Sequence, residues 1–516
     1  MLFRSEGYPE GARFVWNVEV LWAADLYLKR MTDAQRDEFD TLVKEGWIGL
    51  NGMYLNELTG LCRPEELLQL FRYSTQLAER CGVTIDSTMI SDVPGYTWGT
   101  VTAMAQAGIK YFSTAPNYFD RIGDILVQWE NKPFYWVSPS GKEKVLVWIP
   151  LKGYALSHLI NKLSAPFVTE FQEQLEKMDY PYDIAYLRWS GHGDNAVPDK
   201  EICEFVKEWN TKYQYPKFLI STTSTAFRAF EERYGDRLPQ VRGDWTPYWE
   251  DGAGSSALET AMNRASSDRI VQAETLWTML APSAYPNAAF EEAWRNILLY
   301  SEHTWGAWCS VSDSENKMTQ EQWAIKQSYA LQADTQTRTL FQSALDQRKG
   351  NETSEPGIDV YNASSWPRTD LAMVSKELSA VGDRVTDDRG KLVPSQRLSN
   401  GDLVFLAQDV PPFAARRYLL SPESAYGSKP VMANDAVLDN GLLKVKIDAE
   451  SGSIIDLQTQ GLDGNFADNS SGYGLNEYLF LEGDDLADLQ RSGKVSLTVK
   501  ETGPLVASLL VESERS

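Results

Sequence analysis

Histidine is scarce in this chain: 516 residues hold three, His158, His192 and His303. An all-histidine metal site would need every one of them. The four cysteines, Cys62, Cys81, Cys203 and Cys309, have neither the close spacing of a zinc knuckle or redox pair nor the density of a disulfide framework. They read as reduced thiols. Positive charge is also short, with 49 Lys and Arg against 72 Asp and Glu and a net charge of −23. A nucleic-acid binder needs a basic patch to meet phosphates, so the balance argues against nucleic acid, and equally against an anionic membrane surface. No run approaches the roughly 18 to 20 apolar residues of a membrane span. The start, Met-Leu-Phe-Arg-Ser-Glu-Gly-Tyr-Pro, lacks the apolar core of a signal peptide. The expectation is a soluble protein of unassigned compartment, with homo-oligomers left open.

What is present is apolar and aromatic. Hydrophobic residues make up 43% and aromatics 12%, with 17 Trp and 24 Tyr, enough for large cores and for rings that suit sugar faces. The length suggests roughly two to four domains.

The pattern along the chain changes twice. Up to about residue 255, strands and helices alternate through short loops, which is the βαβα order of a parallel sheet or barrel. Thr32 and Gln35 form a capping-box pair, and Pro64 opens a helix that Gly82 closes. Val83 to Ile90 is a strand, Thr97 caps the next helix, Gly108 ends it, and Ile109 to Phe112 is another strand. Phe134 to Val137 and Lys144 to Ile149 flank a hairpin turn. Asp183 to Ser190 and Lys217 to Ser221 are further expected strands. Residues 256–349 carry only helical patterns, the mark of a bundle, and Lys349 to Pro356 reads as a linker. After it the period falls to two: 357–430 reads as a small β domain and 431–516 as the start of a C-terminal β-sandwich. Val506 to Val511 is still a strand near the end of the sequence; a sandwich cut there would leave an unpaired edge or an incomplete core, so missing C-terminal sequence is expected. The fold class is therefore multidomain: an incomplete (β/α)7-type barrel, then an all-α bundle, then all-β sandwich modules.

Three residues stand out chemically. Asp92, in Ser91-Asp92-Val93-Pro94-Gly95-Tyr96, sits where a strand ends and a βα loop begins, the end of a barrel that carries its chemistry. There it either binds metal, attacks or moves protons, or only ties down the Pro-Gly turn. Asp194, in Gly193-Asp194-Asn195, follows another expected strand. It either converges on Asp92 as one of the two carboxylates of glycoside hydrolysis or is plain turn chemistry. His303, in Tyr300-Ser301-Glu302-His303-Thr304-Trp305-Gly306, ends a helix and either answers the helix dipole or ligates zinc. His192 is a weaker candidate and His158 reads as structural. Tyr135, Trp245 and Trp249 lie near expected loops, where they either stack on sugar or pack the core.

These motifs in this order resemble the family 38 glycoside hydrolases, the retaining α-mannosidases. Asp92 with its Pro-Gly resembles that family's Asp-Pro-Phe-Gly-His-Ser segment. Gly193-Asp194-Asn195 resembles its segment near the acid/base. Glu-His-Thr-Trp-Gly is similar to its late zinc-ligand histidine, and Asn440 to Ile454 resembles the opening strands of its C-terminal sandwich. The resemblance implies hydrolysis of terminal α-mannosides with retention, through a covalent glycosyl-enzyme on Asp92 assisted by one Zn2+. It implies Asp92 and His303 as zinc ligands, Asp194 as the acid/base, Asn195, Tyr135 and Trp245 as substrate contacts, and a mannose-containing oligosaccharide as the partner. Two further zinc ligands come in that family from a His-x-Asp motif on the first barrel strand. No His precedes His158 here, so that strand and those ligands are expected upstream of Met1. Asn195 departs from the family, which often has a second Asp there. Two competing readings are a metal-dependent polysaccharide deacetylase and a degenerate carbohydrate-binding protein without turnover.

Overall fold

The computed structural model describes residues 6–117, 125–154, 156–160, 162–193, 196–245, 249–303, 309–310, 312–348, 356–427, 432–483 and 485–514. Asp194, Asn195, most of the expected linker and Thr304 to Gly306 lie outside the described residues. The chain divides into one unit of Met1–Glu274 with Ser283–Asp346, and another of Thr275–Pro282 with Gln347–Ser516.

Short parallel strands organise the first unit. β1 (Trp16–Val18) pairs in parallel with β2 (Ile48–Leu50), Trp16 opposite Ile48. The helices Leu21–Arg30 and Asp33–Lys44 connect them, the second begun by the Thr32/Gln35 capping box. Phe39 and Val43 pack inward from it. Pro64 does open a helix, but that helix stops at Gln69 and a new one runs Arg72–Cys81. The break falls at Leu70 and Phe71, both buried, where the Leu70 carbonyl accepts from the Tyr54 amide. Gly82 ends the second helix at φ 62°, a conformation that costs a glycine little.

Five strands form the main sheet: β3 (Ser87–Asp92), β4 (Tyr111–Pro116), β5 (Phe134–Val137), β6 (Lys144–Trp148) and β7 (Gln240–Val241). Their order is β3-β4-β6-β5-β7. β5 and β6 are the antiparallel hairpin, and the remaining neighbours are parallel. β3 is buried from Ser87 to Ile90 and emerges only at Ser91 and Asp92. The helix after it, Gly99–Gln106, has Trp98 at its N-cap with no side-chain cap; the Thr97 amide instead donates to Thr59 Oγ1.

Two expected strands are absent. Residues 183–190 and 217–221 belong to no strand and have no ladder pairing. Side chains hold them instead. The Tyr186 hydroxyl meets Ser113 Oγ at 2.9 Å, and Arg188 donates to Ile90 O. The Asn210 amide brackets Phe218, taking its N–H and donating to its carbonyl. Apolar spacing alone does not make a strand, which also needs a partner edge.

Three helices, Ala257–Leu280, Asn287–Ser301 and Lys317–Asp346, lie in the helical stretch; the first begins ten residues before the periodic pattern Ser267 to Met279. Phe290, Trp294, Ile297 and Leu298 are buried on the middle one, and the third presents buried Ala330, Ala333 and Ala344. Among the described residues no helix is long and apolar enough to cross a membrane.

The second unit is mostly antiparallel β-structure. Gly357–Asn362, Arg384–Asp387, Leu392–Val393 and Ala414–Ser421 form one sheet, and Arg368–Val374, Ser395–Arg397 and Leu403–Val410 another. Val385, Leu403, Phe405 and Tyr418 fill the core. Met432–Asn434, Val437–Asp439, Leu443–Ile447 and Ile454–Thr459 make a four-stranded meander, and Val495–Glu501 pairs with Ser508–Ser513.

Candidate active site

Asp92 ends β3 at φ 78°, in the left-handed region that Asp and Asn tolerate better than other side chains. Its backbone and side chain are pinned together: the Asn117 amide donates to Asp92 O at 2.9 Å and Asn117 Nδ2 to Oδ1 at 2.8 Å. The other carboxylate oxygen, Oδ2, lies 3.1 Å from His303 Nε2, although 211 residues separate the two in sequence. Burial would push the Asp92 carboxyl up, but the His303 and Asn117 hydrogen bonds outweigh it and hold the acid below its usual range.

His303 is held from both sides. Its Nδ1 sits 2.5 Å from Glu302 Oε1, and its backbone N–H donates to Asn56 O. Burial alone would lower the imidazole, but the adjacent Glu302 and Asp92 carboxylates raise it to about 10. The Trp249 ring lies nearly parallel to the imidazole, 6.0 Å away at 13°. Behind Glu302 stands Lys326, from the helix Lys317–Asp346. Its ammonium is buried and donates to Leu299 O, Tyr300 O, Glu302 O and Glu302 Oε2 at 2.7 to 3.3 Å. The final carbonyls of the helix Asn287–Ser301 are thus answered by a lysine, not by His303, which leaves the imidazole free to face Asp92.

A second network fixes the end of β3 from below. Glu19 accepts from the Ser91 amide and hydroxyl, each at 2.8 Å, and from Asn56 Nδ2 at 3.1 Å. Arg188 pairs with Glu19 at 3.2 Å and donates to Ser91 Oγ at 2.7 Å. None of Glu302, Lys326, Glu19 or Arg188 is signalled by the sequence alone; only the position of Glu302 beside His303 hints at its part.

These groups line a cavity of about 2900 Å3, whose wall also includes Asn117, Tyr154 and Trp249. His158 lines it beside Tyr154, and His192 lies 3.7 Å from Asp199. Two of the expected sugar contacts lie elsewhere. Tyr135 is buried, with its hydroxyl 2.6 Å from Glu231 Oε1 and the Lys144 ammonium 3.6 Å from its ring centre. Trp245 packs into the core, stacked on Trp136 at 4.5 Å. Neither is on the cavity wall: Glu231 and Lys144 hold Tyr135, and the rings of Tyr96, Phe112, Phe134 and Trp136 surround Trp245. Trp249 is the ring of the three that faces the cavity.

The donor pair passes a test for zinc. Two ligands of one tetrahedral zinc stand roughly 3.3 Å apart, given bonds of about 2.0 to 2.1 Å, and Asp92 Oδ2 and His303 Nε2 stand 3.1 Å apart. A carboxylate on the far ring nitrogen is the usual second support of a metal-bound histidine, and Glu302 supplies it.

Residues 4–251 match the model of the Glycosyl hydrolases family 38 N-terminal domain. The fold is similar to that of an alpha-mannosidase from Enterococcus faecalis, at 15% identity and TM-score 0.67, covering 99% of this chain and 63% of that one. It is also similar to a protein in the Glycosyl Hydrolase Family 38 from Enterococcus faecalis, at 15% identity and TM-score 0.66, covering 99% of this chain and 62% of the other. The chain thus spans less than two thirds of the length of either structure. No curated protein sequence matches it.

Proposed function

Residues 4–251 belong to glycosyl hydrolase family 38 as its N-terminal domain, and from that premise we propose that this protein cleaves terminal α-mannosides with retention of configuration. The observation that carries the proposal is the meeting of Asp92 and His303, 3.1 Å apart on the wall of one cavity. In the same reading the parallel strands of the first unit are an incomplete barrel, and the sheets of the second are β-sandwich modules.

Asp92 is the nucleophile. Its carboxylate is ionised at neutral pH, because hydrogen bonds hold it below the usual range. Its strained, doubly pinned backbone fixes the direction of attack, which is what a near-attack geometry requires. Attack on the anomeric carbon forms a glycosyl ester and expels the leaving alcohol, whose oxygen takes a proton from a second carboxyl. We assign that acid to Asp194, which then removes a proton from the water that hydrolyses the ester. Asn195 is proposed to hydrogen-bond sugar hydroxyls and Trp249 to stack on the ring. Asp92 and His303 would hold a Zn2+ ion, which when bound supplies a Lewis-acid contact to adjacent sugar hydroxyls. Glu302 orients the imidazole toward Asp92, and Lys326 fixes Glu302.

Hydrolysis of an aryl α-mannoside, with the first-formed anomer followed by proton NMR, tests the reading. The α-anomer appearing first supports it. Acetate released from acetylated sugars without mannoside cleavage would favour a deacetylase, and mannose binding without turnover a degenerate lectin-like protein.

A further inference from the structure

Directly after Asn56, the chain makes a tight turn, Thr59–Leu61, and enters the helix Pro64–Gln69. This local path gathers Glu57, Cys62 and Glu66, whose ligand atoms all lie within 4.8 Å of one another. Glu57 is 0% exposed and Glu66 1%. The Cys62 thiol approaches Glu57 Oε1 at 3.7 Å and Leu58 O at 3.8 Å, and the Arg63 amide donates to Glu66 Oε1 at 3.1 Å. The second oxygens, Glu57 Oε2 and Glu66 Oε2, are buried and have no hydrogen-bond partner. A buried carboxylate oxygen without a partner costs several kcal/mol unless a proton or a cation meets it.

We propose that Glu57, Cys62 and Glu66 form a second divalent-cation site, separate from Asp92 and His303, selective for a zinc-type ion. The donor set decides the ion: a thiolate with two carboxylates suits zinc or cobalt and disfavours magnesium or calcium. The geometry agrees. Sulfur and oxygen ligands of one tetrahedral zinc stand roughly 3.5 Å apart, against 3.7 Å for Cys62 Sγ and Glu57 Oε1. Three protein donors leave the fourth position to water. Binding releases to solvent the thiol proton and any proton held by the two carboxyls, and the ion offsets two of the resulting three ligand charges. Lys326 near Glu57, with Arg63 and Arg264 near Glu66, faces the remainder. Cys62 itself is half-buried. Without an ion, burial pushes the Glu57 carboxyl and the Cys62 thiol up, and Glu66 to about 7, so the cluster stays partly protonated.

Cobalt(II) titration of the whole, chelator-stripped chain tests this, in a His303→Ala background that weakens the other site. The expected result is a sulfur-to-cobalt charge-transfer band that saturates at one cobalt per chain and is bleached by zinc. The band is lost in Cys62→Ser and weakened in Glu57→Gln, while Cys81→Ser, Cys203→Ser and Cys309→Ser keep it. Zinc should also raise the Tm of His303→Ala but not of His303→Ala/Cys62→Ser. The proposal fails if no band forms, if the band survives Cys62→Ser, or if zinc shifts both Tm values alike. Should Cys62→Ser not fold, an undiminished band in Glu57→Gln would overturn it.

Discussion

Two acidic clusters lie in the first unit, and they handle buried charge in opposite ways. At the end of β3, Asp92 meets His303, His303 meets Glu302, and Glu302 meets Lys326, each contact within hydrogen-bond range. Acids and bases alternate, and the chain of contacts opens on a cavity. Around Glu57, Cys62 and Glu66 the three candidate ligands are all acidic, Lys326, Arg63 and Arg264 stand near them, and Glu57 Oε2 and Glu66 Oε2 have no hydrogen-bond partner. In the first arrangement each charged group faces a partner of opposite charge. The second calls for a positive charge from outside. Burial alone therefore does not mark an active site; what matters is whether the buried groups already answer one another.

The sharpest break in that comparison is at Asp92. Asp92→Asn keeps the side-chain size and the tolerance for a positive φ, whereas Ala at φ 78° would add backbone strain. Turnover of aryl α-mannoside should fall by about four orders of magnitude or more, with Tm nearly unchanged. An Asp92→Asn protein that keeps its activity would remove Asp92 from the reaction. Next comes Lys326→Met. It leaves Leu299 O, Tyr300 O and Glu302 without their buried donor, so unfolding in urea should show a loss of about 3 to 5 kcal/mol. A loss below about 1 kcal/mol would show that the ammonium does not secure the helix end. A smaller effect belongs to Glu302→Gln, which keeps a contact to His303 Nδ1 but weakens its polarity. Zinc affinity measured by calorimetry should fall about 10- to 100-fold while the fold persists. An unchanged affinity would mean that Glu302 does not orient the imidazole.

How much of this the sequence discloses depends on how local each cause is. The Thr32/Gln35 box and the left-handed stops at Gly82 and Gly108 are set within a few residues, and the structure has them. The 3.6-residue stripe of Phe290, Trp294 and Ile297 gives a helix for the same reason. The strands expected at 183–190 and 217–221 fail because pairing depends on a distant edge that no local pattern encodes. Asp92 and His303 are legible through their motifs, but their meeting across 211 residues is a fact of the fold. Trp245 shows the limit most plainly. Beside a loop in sequence, it is stacked on Trp136 in space, and nothing near it in the chain announces that ring.

The smallest effect is expected at Glu57, and it bears most directly on why the two clusters differ. Glu57→Gln replaces a buried carboxyl by a neutral amide of the same shape. The amide offers an N–H2 group within a cluster whose Glu66 Oε2 has no hydrogen-bond partner. Replacing a buried carboxyl, which burial already pushes toward its neutral form, by an amide that adds a donor is close to neutral or stabilising. The metal-free variant should therefore unfold within about 1 kcal/mol of the parent, or above it, in contrast to Lys326→Met. With zinc present the order reverses, because the parent gains the ion's binding energy and the variant gains less. Urea titrations with and without zinc read both signs. A large loss in the metal-free variant would mean that the Glu57 carboxyl already has the partners it needs, and the two clusters would then be alike.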